Sequence, residues 1–305
     1  MNEKYDSFKK YCVGRSVLQL PNEFSMLGIT TGSFESVDSR HQALAFEVVV
    51  DSALLKKESF LNHLLTRRYE LKRRGGEAID VLRLEQKLSD SSTLFRVQQF
   101  KDTYKSELHF ATNGSLVVVT VDSYGNTFLA AERGLVDFMS NFSPVENEQN
   151  NGFCLGPLVF KGNFSAEDGE YDWRDDTGNT LKINISTFKT NSADTLLLRM
   201  AGPGSLLDLF HVGHTVLRAG ERTVAGMRAQ EWLGWTNLGR GGDEKTFKFV
   251  SETMRPVGTR NKPLIAVTFD SAQKLENGTE TKTNLSDKEA MALWDKILGS
   301  IRMAE

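Results

Sequence analysis

Five histidines and two cysteines are the side chains of this 305-residue chain best suited to chemistry. A metal site or a base-activated nucleophile would draw on them. His41, His63 and His109 are scattered, with no acidic or thiol partner at a telling spacing. His211 and His214 lie three apart without the glutamate of a His-Glu-x-x-His metal helix, so they read as a loop or helix-end pair. Gly202-Pro203-Gly204-Ser205 looks superficially like a nucleophile elbow, but Gly-x-Ser-x-Gly is absent and Ser205 reads as a helix N-cap. Neither cysteine has a histidine beside it, and bulky apolar neighbours argue against a reactive thiol. The stretch from Gly239 to Thr246 lacks the Gly-Lys-Thr ending of a phosphate loop, and Asp243 and Glu244 would repel a polyphosphate. The chain is therefore expected to be no enzyme, with no catalytic residue, no cofactor and no metal.

What remains is contact chemistry. Trp232 and Trp235 lie three apart, close to the glycine-rich Gly239–Gly242 loop that carries Arg240. Trp and Arg are favoured anchors of protein interfaces. Trp235 and Arg240, with Trp232, are the candidate partner-binding residues; the competing reading places one or both tryptophans in the core. The basic run Arg67-Arg68, Lys72-Arg73-Arg74 reads as a solvated helix face near a helix C-terminus, with an acidic partner surface as the alternative.

Composition excludes some partners. The formal net charge is −3 and each half is nearly neutral, so no basic face for nucleic acid is expected. No apolar run approaches the ~20 residues that span a bilayer. Residues 1–10 are polar, so an export signal, if used, would precede them. The two cysteines read either as separate buried thiols or as a Cys12–Cys154 bridge, which would need an oxidising compartment.

The elements that would position these residues follow from periodicity. Strands are expected at residues 16–20, 24–32 and 43–50. A basic amphipathic helix over 52–74 follows, with Leu54, Leu61, Leu64, Leu65 and Leu71 on one broad face. Four more strands are expected at 79–88, 93–100, 105–111 and 116–121, with Asn113-Gly114 as a hairpin turn, then a helix over 127–140. The polar stretch 143–151 reads as a linker. Strands at 154–160, 170–174, 181–188 and 195–200 follow, then a short helix over 205–210. Further strands at 215–219, 223–235, 245–251 and 264–269 lead to a helix over 287–302, opened by a Ser286/Glu289 capping box. The fold class is α+β: two domains of similar plan, residues 1–147 and 148–305, each a mostly antiparallel sheet covered by helices on one face.

Two short segments near the domain starts echo one another: Tyr11-Cys12-Val13-Gly14-Arg15 and Phe153-Cys154-Leu155-Gly156-Pro157. With Leu20-Pro21, the first resembles the opening of the N-terminal domain of immunity proteins that neutralise the fourth family of type VI secretion lipase effectors. The second resembles the opening of their C-terminal domain. The run Glu221 to Glu231, with Gly226 at its turn and Gln230-Glu231 beyond, resembles a further segment of that domain; Ala229 stands where a glycine is expected. The resemblance implies two α+β domains arranged as a claw on a secreted phospholipase. It implies a periplasmic protein of bacterial competition, a monomer that forms a 1:1 complex and blocks the active-site entrance or lid. The alternative is a two-domain envelope-binding or chaperone-like protein with a non-lipase partner; a hydrolase using His211 or His214 is the more distant rival.

Overall fold

The computed structural model describes residues 5–37, 43–73, 80–145, 152–162, 164–189, 195–201, 214–237, 245–255, 257–271, 283 and 285–304. They form an α+β structure in which strands predominate and the observed registers are antiparallel. No described helix is long and apolar enough to cross a membrane. Packing divides the chain into two units: Gly28–Gly169, and Met1–Leu27 together with Glu170–Glu305. The grouping differs from a division at residue 147 in that residues 1–27 pack with the later part of the chain and residues 148–169 belong to the earlier unit.

The first strands are β1 (Phe8–Val13), β2 (Ser16–Pro21) and β3 (Ser25–Met26). Gly14, at φ 55°, turns β1 into β2, and its amide donates to the Tyr171 hydroxyl at 2.7 Å. The sequence pattern hides β1, since Lys9 and Lys10 are exposed in its middle.

The Gly28–Gly169 unit begins with β4 (Ile29–Val37) and β5 (Ala43–Asp51). The expected single helix is two, α1 (Leu54–Lys57) and α2 (Phe60–Arg73). Asp51 Oδ1 caps α1 by accepting the amides of Ala53 and Leu54, each at 2.8 Å. Glu58 then turns extended, and Ser59 Oγ accepts the Asn62 amide at 3.2 Å to start α2. Next come β6 (Val81–Ser89), β7 (Ser92–Phe100), β8 (Thr103–Thr112) and β9 (Ser115–Tyr124). Asn113 and Gly114, at φ 48° and 72°, make the β8–β9 turn as their types require. The unit continues with α3 (Phe128–Met139), β10 (Phe142–Pro144), β11 (Phe153–Leu155) and β12 (Leu158–Phe160).

Its long strands run in the order β4-β5-β9-β8-β7-β6. Phe95 packs with Val97 against Leu64 and Leu71 of α2, whereas Arg96 reaches Glu132 of α3 at 2.6 and 2.7 Å. Successive strand residues point to opposite faces. The two helices therefore cover opposite faces of the sheet, not one face as expected. Under α3, the Phe138 ring lies 4.1 Å from Phe160 and 4.6 Å from Phe46, centroid to centroid. Gly134 allows this approach, since a Cβ there would stand 2.9 Å from Leu44 Cδ1. β10 and β11 flank β12, so Ser143 and Pro144 pair with Val159 and Leu158 instead of forming a linker. Residues 146–151 of the expected linker lie outside the described residues.

The other unit adds β13 (Ala166–Arg174), which begins in the first unit, then β14 (Thr180–Ser186) and α4 (Leu196–Ala201). It goes on with β15 (His214–Val224), β16 (Met227–Asn237), β17 (Lys245–Thr253) and β18 (Leu264–Asp270), and ends with α5 (Asp287–Ser300) and β19 (Arg302–Met303). Its sheet order is β15-β16-β17-β18-β14-β13, and β3 pairs with the end of β13. β1, β2 and β19 form a separate small sheet that joins the two ends of the chain. α4 stands where residues 195–200 were expected to be a strand. Leu196-Leu197-Leu198 has no alternation to fix a period, and Thr195 Oγ1 accepts the Leu198 amide at 3.4 Å to start a helix. The helix expected over 205–210 lies outside the described residues. α5 is as expected. Ser286 and Glu289 cap each other, and Ala290, Leu293, Trp294 and Ile297 form the buried stripe.

Candidate interaction surface

The β15–β16 hairpin carries the segment singled out in sequence. Its turn is Ala225-Gly226, at φ 49° and 74°, and both strands run on for eleven residues. Gly220, expected near a break between strands, is paired with Glu231 within β15. The segment's Gln230 and Glu231 are buried. Gln230 Oε1 accepts the Leu197 amide of α4 at 3.2 Å. On the other face, Glu231 accepts the Trp294 indole N–H of α5 at 3.1 Å. Arg218 Nε and Arg222 Nη1 approach the same carboxylate at 2.7 and 2.5 Å. Both guanidiniums also meet Asp295 of α5. Hydrogen bonds from Arg218, outweighing partial burial, hold Asp295 below the usual carboxylate range. The Gln-Glu pair thus clasps one helix to each face of the sheet, which is a structural task.

The two tryptophans part company for the same reason. Three residues apart on one strand, they point to opposite faces. Trp232 is 1% exposed and packs with Leu196, Met200 and Val250 beneath α4. It has no surface to offer a partner, which corrects its place among the binding residues. Gly234 makes room for its ring: a Cβ there would stand 2.4 Å from Trp232 Cη2. Trp235 is half-buried, paired across the ladder with Phe247, and Lys245 Nζ lies 4.6 Å above its ring. Arg240 and the Gly239–Gly242 loop lie outside the described residues, as do His41 and His211. His214 is exposed at the start of β15.

His63 and His109 do meet, which sequence spacing did not reveal. His63 Nε2 is 2.9 Å from His109 Nδ1, and His109 Nε2 is 3.2 Å from Glu107. Arg67 completes the group with a bidentate grip on Glu107 at 2.9 and 2.7 Å. Burial, then the neighbouring imidazole, lowers the His63 pKa to about 4. Burial alone would raise Glu107, but hydrogen bonds from His109 and Arg67 prevail and hold it at about 2. The remaining ring nitrogen, His63 Nδ1, faces Glu58 at 3.9 Å. All four ring nitrogens are thus directed at imidazole or carboxylate, and none at a hydroxyl or thiol. Among the described residues no His, Cys, Asp or Glu group is arranged to hold a metal ion. Glu107 and His109 occupy alternate positions of β8, but polar residues are frequent along that strand and nothing in its spacing marks His63 or Arg67 as their partners.

Among the described residues, the Gly28–Gly169 unit has at least two concavities. One, of about 270 Å³, is lined by Arg67 and Lys105 but also by Glu47, Asp80 and Glu107, so it is no anion cradle. A second, of about 410 Å³, is lined by Leu44, Phe46, Phe138 and Phe164 together with the polar Arg133 and Asp137. Neither cysteine is a free thiol, which sets aside the reading of two separate thiols.

This inventory offers contact surfaces and structural ion pairs. Residues 146–304, just over half of the chain, match the family described as Tle cognate immunity protein 4, C-terminal domain. The chain belongs to this family. The immunity protein is also similar in fold to apo TplEi, an immunity protein of T6SS from Pseudomonas aeruginosa. The two share 17% identity over 97% of each chain, with a TM-score of 0.67. TplEi complexed with an "L" peptide gives 19% identity over 98% of this chain and 99% of that one, at TM-score 0.65. A chain of the Tle4–Tli4 complex gives 19% identity, covering 100% and 99%, at TM-score 0.68. At such identities the likeness is one of fold. No curated protein matches the sequence. The family's C-terminal domain begins at residue 146, beside the boundary read from sequence, although β1 and β2 of the immunity protein pack with that later half.

Proposed function

We propose that this immunity protein binds a secreted type VI lipase effector and silences it by covering its active-site entrance or holding its lid. The family match over residues 146–304 carries the proposal. The fold likeness to a chain of the Tle4–Tli4 complex supports it. The mechanism asks for no chemistry from the immunity protein. It asks for a large interface, above the roughly 1,600 Å² of a standard complex, with a few anchors near its centre. Trp235 and Arg240 remain the candidates for such anchors in the second half.

In this reading two lobes grip one effector in a claw-like 1:1 complex, and the site of action is the periplasm. An oxidising compartment suits a chain with no free thiol. Co-purification of the chain with the effector encoded beside it tests the proposal. A stable 1:1 complex is expected by light scattering, and failure to co-purify would overturn it.

A further inference from the structure

Helix α2 is apolar on two sides. Leu64 and Leu71 pack on β7, as a core-facing stripe should. Leu61, Leu65 and Tyr69, however, are 63%, 46% and 65% exposed. Leu61 and Leu65 were expected to share one broad face with Leu54, Leu64 and Leu71; Tyr69 was not part of that expectation. Spaced i, i+4 and i+8, they form a second stripe pointing away from the sheet. Scattered exposed leucines are normal, but three large apolar side chains aligned over two turns mark an interaction site.

Charge narrows the partner. Arg68, bordering the stripe, is committed to Glu85 of β6. Lys72 lies within the stripe's angular span, is exposed, and makes no ion pair among the described residues. Among the described residues, the surface is thus an apolar ridge with one unneutralised cation. Its complement is an apolar groove that carries a carboxylate beside it, the helix-in-groove mode of recognition.

We infer that the outward face of α2, formed by Leu61, Leu65, Tyr69 and Lys72, docks into an apolar groove on the lipase effector. A lipase has an apolar groove, because its substrates are acyl chains; the carboxylate beside it is what Lys72 adds to the inference. The inference rests on the function proposed above and adds to it a docking surface in the first half of the chain.

The test is binding of the full-length chain to its purified cognate lipase effector, by calorimetry. Leu61→Asp combined with Tyr69→Ala should raise Kd by about 30-fold or more, since truncated anchors of this kind cost at least ~2 kcal/mol. Lys72→Glu should weaken binding by a smaller factor, with a steeper loss at low salt. Tyr124→Ala, at another exposed aromatic of the same unit, serves as control and should leave Kd unchanged. Unchanged circular dichroism and melting temperature show that the variants fold; Leu65→Ala, a milder change on the same stripe, provides a second reading if the double variant does not. If the unsubstituted chain binds and the stripe variants bind equally well, the inference falls alone. If the unsubstituted chain does not bind at all, the proposed function falls with it. If the stripe variants instead abolish self-association or sedimentation with phospholipid vesicles and leave effector binding intact, the occupant is a second copy or a membrane, and the inference is overturned.

Discussion

His63 Nε2 lies 2.9 Å from His109 Nδ1, joining α2 to β8 through two imidazoles 46 residues apart. Only one nitrogen of such a pair can carry the shared proton, and Arg67 stands nearby, so a positive charge on His63 is disfavoured. Burial is the largest cause, and Glu70 and Asp51 oppose it without overcoming it.

The pair makes folding sensitive to acid. The folded pKa of His63, about 4, lies below its ordinary 6.5, so between these values the unfolded chain binds more protons. Stability therefore falls as pH drops from 6.5 towards 4, by about 1–2 kcal/mol after discounting for solvent screening. Glu107 adds a loss of the same sign at lower pH, since its folded pKa of about 2 is below the ordinary 4.5. Urea unfolding at pH 7.0 and pH 4.5 measures the slope, and His63→Gln should flatten it. An equal slope in that variant would assign the acid sensitivity elsewhere.

Glu231 should be the costliest acidic residue to lose in the hairpin. Its carboxylate is buried under Arg218, Arg222 and the Trp294 indole, so Glu231→Ala leaves a buried N–H without its acceptor and two cations sharing the half-exposed Asp295 alone. Breaking a buried pair in this way costs about 3–5 kcal/mol. Asp295→Ala, at a 46% exposed side chain, should cost about 1 kcal/mol or less. Denaturant midpoints for the two variants check the order.

Trp232 and Trp235 should separate experimentally as they do in space. Trp232→Ala opens a cavity under α4 and is expected to cost about 3–5 kcal/mol. Gly234→Ala should cost about 1–3 kcal/mol, because its Cβ meets the Trp232 ring and the Thr215 carbonyl oxygen at 2.9 Å. Trp235→Ala should leave the melting temperature closer to that of the parent and change effector affinity instead. Reversed behaviour of the two tryptophans would remove Trp235 from the anchors.

Thiol titration of the denatured chain should find no reactive thiol until reductant is added, since neither cysteine is free. Prompt labelling of both Cys12 and Cys154 without reductant would contradict this.

Local signals were legible in sequence. Ser286 with Glu289 fixed the start of α5, and Asn113-Gly114 fixed the β8–β9 turn, because both depend on side chains a few residues apart. α4 was misread since Leu196-Leu197-Leu198 suits either period, and its helical choice depends on Gln230, over thirty residues away. The α2 leucines were placed on one face because periodicity shows which residues share a side but not how much of that side the sheet covers. Trp232 and Trp235 looked like one site by spacing, and strand geometry puts them on two faces. The His63–His109–Glu107–Arg67 cluster escaped entirely, since no spacing rule joins residues brought together by the sheet. The short Cys-aliphatic-Gly and Gln-Glu segments pointed to the family, although the structure gives Gln230 and Glu231 the work of holding helices.

The most direct measurement is phospholipase turnover by the cognate effector, titrated with this immunity protein. Activity should fall linearly and approach zero at one equivalent, with the protein alone hydrolysing no lipid. Full activity at a several-fold molar excess of folded protein would contradict the account.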